Sequence, residues 1–197
     1  MFTGIIQSTG RVKKTEKNNQ GGLILSVEVK NFLKNIKIGD SLAVDGICLT
    51  VIKKSKNSFQ TEVIPETLSR TIAPEYKKGS VVNLEKSLKI GDRLDGHFVP
   101  GHVDGVGRLA KVTKVRDYLV WEIKPPVEIL KYLAYKGSVA INGVSLTISR
   151  LNKNSFEVSL ISHTLENTNL SELQPGFKVN IEADVIARYL EKLVVSS

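Results

Sequence analysis

The sequence predicts an all-β protein made of two tandem copies of one small antiparallel barrel or sandwich, followed by a C-terminal helix. Three observations carry that prediction: a long internal echo, short β-branched segments set between turn residues, and a terminal apolar stripe at helical spacing. The echo comes first. Residues 44–51 read VDGICLTV and residues 141–148 read INGVSLTI, an offset of 97 residues from Gly46 to Gly143. The same offset, without a gap, lays KNSFQTEVIPETLSRT (56–71) on KNSFEVSLISHTLENT (153–168) and VVNLE (81–85) on KVNIE (178–182). It also lays Gly4, Gly10 and Arg11 on Gly101, Gly107 and Arg108. Two long copies are no solenoid, which stacks several short repeats. Each copy, of roughly a hundred residues, can bury a core of its own.

The elements follow in order. GLILSVEV, DSLAV, CLTVI, SFQTEVI and SVVNLE are the strands expected of the first copy. YLVWEI, GSVAI, SLTIS, SFEVSLI and FKVNIE are their counterparts in the second. Gly, Asn and Lys punctuate them, and lysine-rich stretches such as KKTEKNNQGG and KKSKNS read as turns. VKNFLKNI and VEILKYLA carry helical spacing and predict one short helix per copy. In ETLSRT and HTLENT, Thr67 and Thr164 are placed to cap short helical turns. SLKIGDRLDG (87–96) reads as a linker, which divides the chain into 1–96, 97–184 and a terminal helix over 185–197. That helix carries apolar residues at 185, 186, 189, 190 and 193, and a helix so short needs a surface to bury them.

Composition excludes several classes. One cysteine in 197 residues rules out a disulfide framework and a Cys-cluster metal site, and favours a reducing compartment. MFTGIIQSTG is too short and too glycine-broken for a leader, and no apolar run approaches membrane-spanning length, so a soluble cytoplasmic protein is expected. The net charge of +8 raises nucleic-acid binding as a hypothesis. The lysines are scattered in ones and twos, without interleaved aromatics, which is the pattern of a solvated basic surface.

GDRLDGHFVPGHVDGVGR (91–108) is the segment richest in chemistry. It holds His97 and His102, and a metal site would recruit His163 as a third ligand. A spacing of five puts two strand residues on opposite faces, and no second shell is evident, so no metal is expected. No GKS or GKT follows the glycines, so this is no phosphate loop. Taken alone, the segment also reads as tight turns carrying surface histidines. Cys48, between Ile47 and Leu49, likewise also reads as a small buried hydrophobe. Strand alternation, however, puts Cys48 with Thr50 on one face and Ile47, Leu49 and Val51 on the other. Ser145 and Thr147 repeat that polar face in the second copy, and a polar pair facing a cleft can hold a polar ligand.

Together these residues resemble riboflavin synthases along essentially the whole chain. The resemblance rests on MFTGII, the DGICLTV and NGVSLTI pair, the ETL and HTL segments, GHFVPGHVDGVG, YKGSVAING, and the VNLE and VNIEAD endings. It implies six-stranded Greek-key barrels and a homotrimer assembled by the C-terminal helix. It further implies dismutation of two molecules of 6,7-dimethyl-8-ribityllumazine, without metal or organic cofactor. One molecule gives a four-carbon unit to the other, yielding riboflavin and 5-amino-6-ribitylaminouracil. Each chamber would lie between the first barrel of one subunit and the second barrel of a neighbour. Association with lumazine synthase is a further expectation. A non-catalytic lumazine or flavin carrier of the same fold is the alternative.

Carried over by resemblance, substrate contacts in the first barrel fall on Gly4, Ile5 and Ile6, on Cys48, Leu49 and Thr50, and on Glu62, Val63, Ile64, Pro65, Glu66 and Thr67. In the second barrel they fall on Gly101, His102 and Val103, on Lys136, and on Ser145, Leu146 and Thr147. Ser159, Leu160, Ile161, Ser162, His163 and Thr164 complete that set. Phe2, Ser41, Cys48, His97, His102 and Ser145 match positions tied to activity. His102 is the candidate for proton transfer at the acidic C7 methyl, since imidazole titrates near neutrality. Cys48, Ser41 and Ser145 would position or activate a nucleophile. Asn142 stands where an aspartate is common, which leaves Asp184 as the carboxylate candidate. The copies diverge at Cys48 against Ser145 and at Ile5 against His102, as two seats with different tasks should.

Overall fold

The computed structural model describes residues 1–195, so the last two residues of the expected terminal helix lie outside the described residues. The first copy contributes β1 (Ser8–Lys17), β2 (Leu23–Glu28), β3 (Ser41–Val44), β4 (Ile47–Lys54), β5 (Ser58–Val63), α1 (Pro65–Arg70) and β6 (Val81–Lys86). The second contributes β7 (Gly105–Val115), β8 (Tyr118–Lys124), α2 (Val127–Leu130), β9 (Ser138–Ile141), β10 (Val144–Leu151), β11 (Phe156–Ile161), α3 (Ser162–Asn167) and β12 (Lys178–Ala183). The terminal helix is α4 (Val185–Val195). Among the described residues, no helix is long and apolar enough to cross a membrane.

The strands close into two barrels of order β1-β2-β5-β4-β3-β6 and β7-β8-β11-β10-β9-β12, antiparallel at every pairing. The order is the same with six added to each strand number, as duplication requires. Strand alternation fills each interior. Leu25, Val27, Leu42, Val51, Phe59 and Leu84 are fully buried in the first, Leu109, Trp121, Ile123, Phe156, Val158 and Ile181 in the second.

Three expectations need correction. β1 runs through KKTEK, which the sequence reading took for a turn: only Gly10 and Val12 point inward, a bulge follows Val12, and the other face is polar. VKNFLKNI forms no helix. Asn31 and Asn35 adopt left-handed backbone (φ 55° and 67°), which breaks the turn, while Phe32, Leu33 and Ile36 join the first barrel's core. Its echo keeps one turn, α2, with Ile129 buried. Nor do Thr67 and Thr164 cap. α1 starts two residues earlier, at Pro65, whose missing N–H costs nothing at a helix start. Thr71 and Thr168 instead donate to the carbonyls of Thr67 and Thr164, both at 2.7 Å, and their hydroxyls accept from Ala73 N and Leu170 N at the following 3₁₀ turns.

The barrels meet about a local twofold relation. Asp45-Gly46 and Asn142-Gly143 are the two-residue turns of the β3–β4 and β9–β10 hairpins, with positive φ at all four residues, the geometry of a type I′ turn. A Cβ on Gly46 would lie 2.7 Å from Gly143 N, and one on Gly143 would lie 2.7 Å from Gly46 N. Around these turns the side chains bridge the halves. Asn83 Nδ2 donates to Asn142 O and Asn180 Nδ2 to Asp45 O, both at 2.9 Å. Asn169 N donates to Asn83 Oδ1 and Ile72 N to Asn180 Oδ1. Asp45 departs from the symmetry: its carboxylate accepts from Tyr76 Oη, Asn83 N and Asn169 Nδ2. Burial pushes its pKa up to about 7 against those three hydrogen bonds.

Candidate functional site

Two strands present the polar faces predicted by alternation. β4 alternates buried and less buried from Ile47, with Cys48 half-buried and Thr50 exposed. β10 does the same, with Ser145 half-buried and Thr147 exposed. Ser41 pairs with Thr50, and Ala43 with Cys48, so Ser41 lies one step along the Cys48 face.

The segments over these faces are crossed between the halves. Cys48 N donates to Gly101 O at 2.9 Å, and Ser145 N donates to Gly4 O at 2.8 Å. Gly101 and Gly4 have φ of +82° and +79°, and a Cβ on either would fall 2.7 Å or 2.6 Å from the Cβ of Cys48 or Ser145. Gly4–Ile6 was expected with the Cys48 strand and Gly101–Val103 with the Ser145 strand. The structure exchanges them: Val103 packs on the first core, and Ile6 packs on the second. The physical reason is a short bridge between the straps, in which Phe2 N donates to Val99 O at 2.7 Å and Val99 N to Phe2 O at 3.1 Å. Phe2, Val99, Ala43 and Ala140 bury one another, with Cys48 against them, as a dry seam between the seats.

A buried carboxylate anchors each strap. Glu85 accepts from Thr3 N, Thr3 Oγ1 and Gly4 N; Glu182 accepts from Gly101 N and His102 N. Burial raises both, and Glu182 reaches about 7 against the His102 amide and the Arg188 charge. The second strap has Pro100 where the first has Thr3, so its carboxylate loses one hydroxyl partner. Sequence reasoning missed both glutamates; the signal was there in the repeated VNLE and VNIE.

The Cys48 seat opens into a cavity of about 410 Å³ lined by Cys48, Glu66, Thr67, His102, Val103 and Arg188, among others. The His102 side chain is exposed there. The Ser145 seat brings in His97, whose Nδ1 lies 2.7 Å from Ser145 Oγ. Burial lowers the His97 pKa, opposed by the nearby Asp184 charge. Burial thus favours the neutral imidazole, in which Nδ1 can accept from the Ser145 hydroxyl. Asp184 also receives Ile186 N at 3.0 Å, at the start of α4. Thr164 holds the place in α3 that Thr67 holds in α1.

The other expected contact residues divide by orientation. Leu49, Val63, Leu146 and Leu160 point into the cores, so only their backbones can face a ligand. Ile5, Ile64, Pro65, Glu66, Ser159, Ile161, Ser162 and His163 are exposed, and Glu62 is half-buried and held by Asn18 Nδ2. Lys136 is exposed with φ +67°, its Nζ 5.4 Å from the Tyr135 ring centroid.

With both seats described, comparison with known proteins is decisive. A family model of the lumazine binding domain matches residues 3–87 and again residues 100–184. The chain belongs to the lumazine-binding family. Within that family it is similar to the riboflavin synthase of Photobacterium phosphoreum, 43% identical over 99% of this chain and 89% of the relative. The Bacillus subtilis riboflavin synthase is 40% identical over 98% and 90%. The crystal structure of LumP complexed with riboflavin superposes with a TM-score of 0.86, at 27% identity over 93% of this chain and 99% of that one. LumP complexed with 6,7-dimethyl-8-(1′-D-ribityl)lumazine gives 0.83, at 29% identity with the same coverage.

Proposed function

We propose that this protein is a riboflavin synthase, a transferase that converts two molecules of 6,7-dimethyl-8-ribityllumazine to riboflavin and 5-amino-6-ribitylaminouracil. The observation that carries the reading is the pair of like but unequal seats. Each is a half-polar strand under a crossed strap, one offering Cys48 and His102, the other Ser145 and His97. Two identical substrates need two seats, and donor and acceptor chemistry needs the seats to differ. The transfer balances internally, since the four carbons that one ring loses are those the other gains.

The roles follow from position. His102, exposed beside Cys48, takes the proton from the C7 methyl of one lumazine and leaves a carbanion delocalised into the ring. Ser145, held by neutral His97, and Cys48 with Ser41 position or activate the nucleophile that adds to a ring. Phe2 joins the straps and keeps them in register. Holding two rings together replaces a bimolecular encounter, worth up to about 7–11 kcal/mol in favourable cases.

The dry seam between Cys48 and Ser145 supports pairing each seat with the opposite seat of a neighbouring chain. The terminal helix supports the same reading. Ile186, Tyr189, Leu190, Leu193 and Val194 are more than half exposed on α4, an apolar face suited to another subunit. A homotrimer working in the cytoplasm, in association with lumazine synthase, completes the proposal.

The likeness to LumP, whose structures hold riboflavin and lumazine, favours a second reading, a carrier that turns nothing over. Incubation with 6,7-dimethyl-8-ribityllumazine alone separates the two. An enzyme forms riboflavin; a carrier only shifts the ligand's spectrum.

A further inference from the structure

The strap over Cys48 has a fastening that its mirror lacks. On one side Glu182 receives the amides of Gly101 and His102. On the other side α4 reaches in. Arg188 Nη2 donates to the carbonyl of His102 at 3.0 Å and pairs with Asp104 Oδ1 at 2.7 Å. Asp104 Oδ2 in turn accepts from Ala183 N at 2.8 Å, tying the same residue to the end of β12. The offset of 97 gives Gln7, Ile5 and Gly91 in the first copy. Gln7 reproduces the strand-end bond, accepting from Lys86 N at 3.1 Å. Among the described residues nothing reproduces the arginine: Gly91 is exposed, and an added Cβ there would meet nothing within 4 Å.

We propose that Arg188 is a positioning residue, which couples the terminal helix to the Cys48 seat by fixing the 101–104 strap and with it the stance of His102. The inference rests on the reading of this seat as part of a riboflavin synthase chamber. Guanidinium geometry suits the task, because the two N–H bonds of Nη2, fixed in one plane, reach the carbonyl and the carboxylate at once. Lysine offers the charge without that fixed plane. Arg188 also lines the cavity with Cys48 and His102, so a shift of α4 is felt there directly. Helix docking thereby bears on the Cys48 seat through Arg188, whereas the Ser145 seat meets only the start of α4, through Asp184.

The test compares the full-length wild type with R188A, R188K and D104N, each assayed with 6,7-dimethyl-8-ribityllumazine across protein concentrations, with sedimentation of the same samples. R188A is expected to lose about tenfold or more in kcat at every concentration, including those where it sediments as wild type does. R188K recovers part of that loss, and D104N loses less than R188A. Cys48, the one cysteine in the sequence, gives a readout independent of turnover: its alkylation rises several-fold in R188A as the strap loosens. R188A that turns over and labels like wild type overturns the inference. So does a defect that vanishes once concentration restores wild-type sedimentation, which assigns Arg188 to assembly alone. If the wild type itself forms no riboflavin, the enzymatic reading fails instead, and the labelling comparison still tests the coupling.

Discussion

Replacing Gly101 by alanine probes the crossed strap directly. Two costs add. A non-glycine residue held in left-handed backbone costs about 1–3 kcal/mol, and Gly101 has φ +82°. The new Cβ would also stand 2.7 Å from Cys48 Cβ and 3.0 Å from both Cys48 N and Phe2 Cε2, so strap and strand must separate by roughly an ångström. Separation weakens the 2.9 Å bond from Cys48 N to Gly101 O, worth about 1 kcal/mol. The sum is roughly 2–4 kcal/mol, a fall in Tm of about 5–15 °C at 2–4 °C per kcal/mol for a chain of this size. Gly91→Ala is the control, because φ is +93° there but the space is open, and it carries the strain alone. Thermal unfolding of both variants, with riboflavin titration of each, is the assay. G101A should melt below G91A and lose binding at the Cys48 seat while the Ser145 seat still fills. Equal melting of the two variants, with both seats intact in G101A, refutes the strap geometry.

Asp45 offers a pH test with a definite sign. Unfolded, its carboxyl titrates at 3.8; folded, it keeps the proton to about 7. The folded state therefore binds more protons between those values, so Asp45 makes stability fall as pH rises from about 4 to about 7. Asp45→Asn, the residue already present at the mirrored position 142, should stabilise more at pH 8 than at pH 5, by about 3 kcal/mol, because about two pKa units of the shift lie above pH 5 at roughly 1.4 kcal/mol each. Urea unfolding at both pH values checks it, and an equal effect at the two contradicts the buried-carboxyl account. In the seats, Cys48→Ser should lower turnover with Tm unchanged, and Ser145→Cys should not substitute for it; near-wild-type rates in both variants would remove the case for specialised seats. Removal of residues 185–197 should reduce the sedimenting species to a monomer and abolish riboflavin formation, an expectation refuted by intact sedimentation and activity.

Much of the architecture is legible because duplication prints every local rule twice. Cys48 and Thr50, then Ser145 and Thr147, display one alternation on two strands, so the outward polar faces follow without a structure. β1 is illegible for the converse reason: Gly10 and Val12 alone mark its inner face, and the lysines on its outer face mimic a turn. Apolar spacing in VKNFLKNI reports burial correctly but not conformation, since two asparagines take it out of the helical region. The crossing of Gly4 and Gly101 is hidden for a deeper reason. A 97-residue phase says which residues are equivalent, yet a local twofold axis lets equivalent residues serve the opposite partner, and phase carries no information about that exchange. Arg188 escaped notice because it has no counterpart in the first copy.

The exposed stretch at 89–96 acquires an unexpected meaning from the crossed straps. A protease nicking it would sever the polypeptide without parting the product, since each fragment still clasps the other through Gly4, Gly101 and the Phe2–Val99 clip. Gel electrophoresis in detergent would report two pieces where gel filtration reported one particle. Continuity of the chain and integrity of the fold are thus separate properties here, and circular permutants opened at 89–96 exploit the difference.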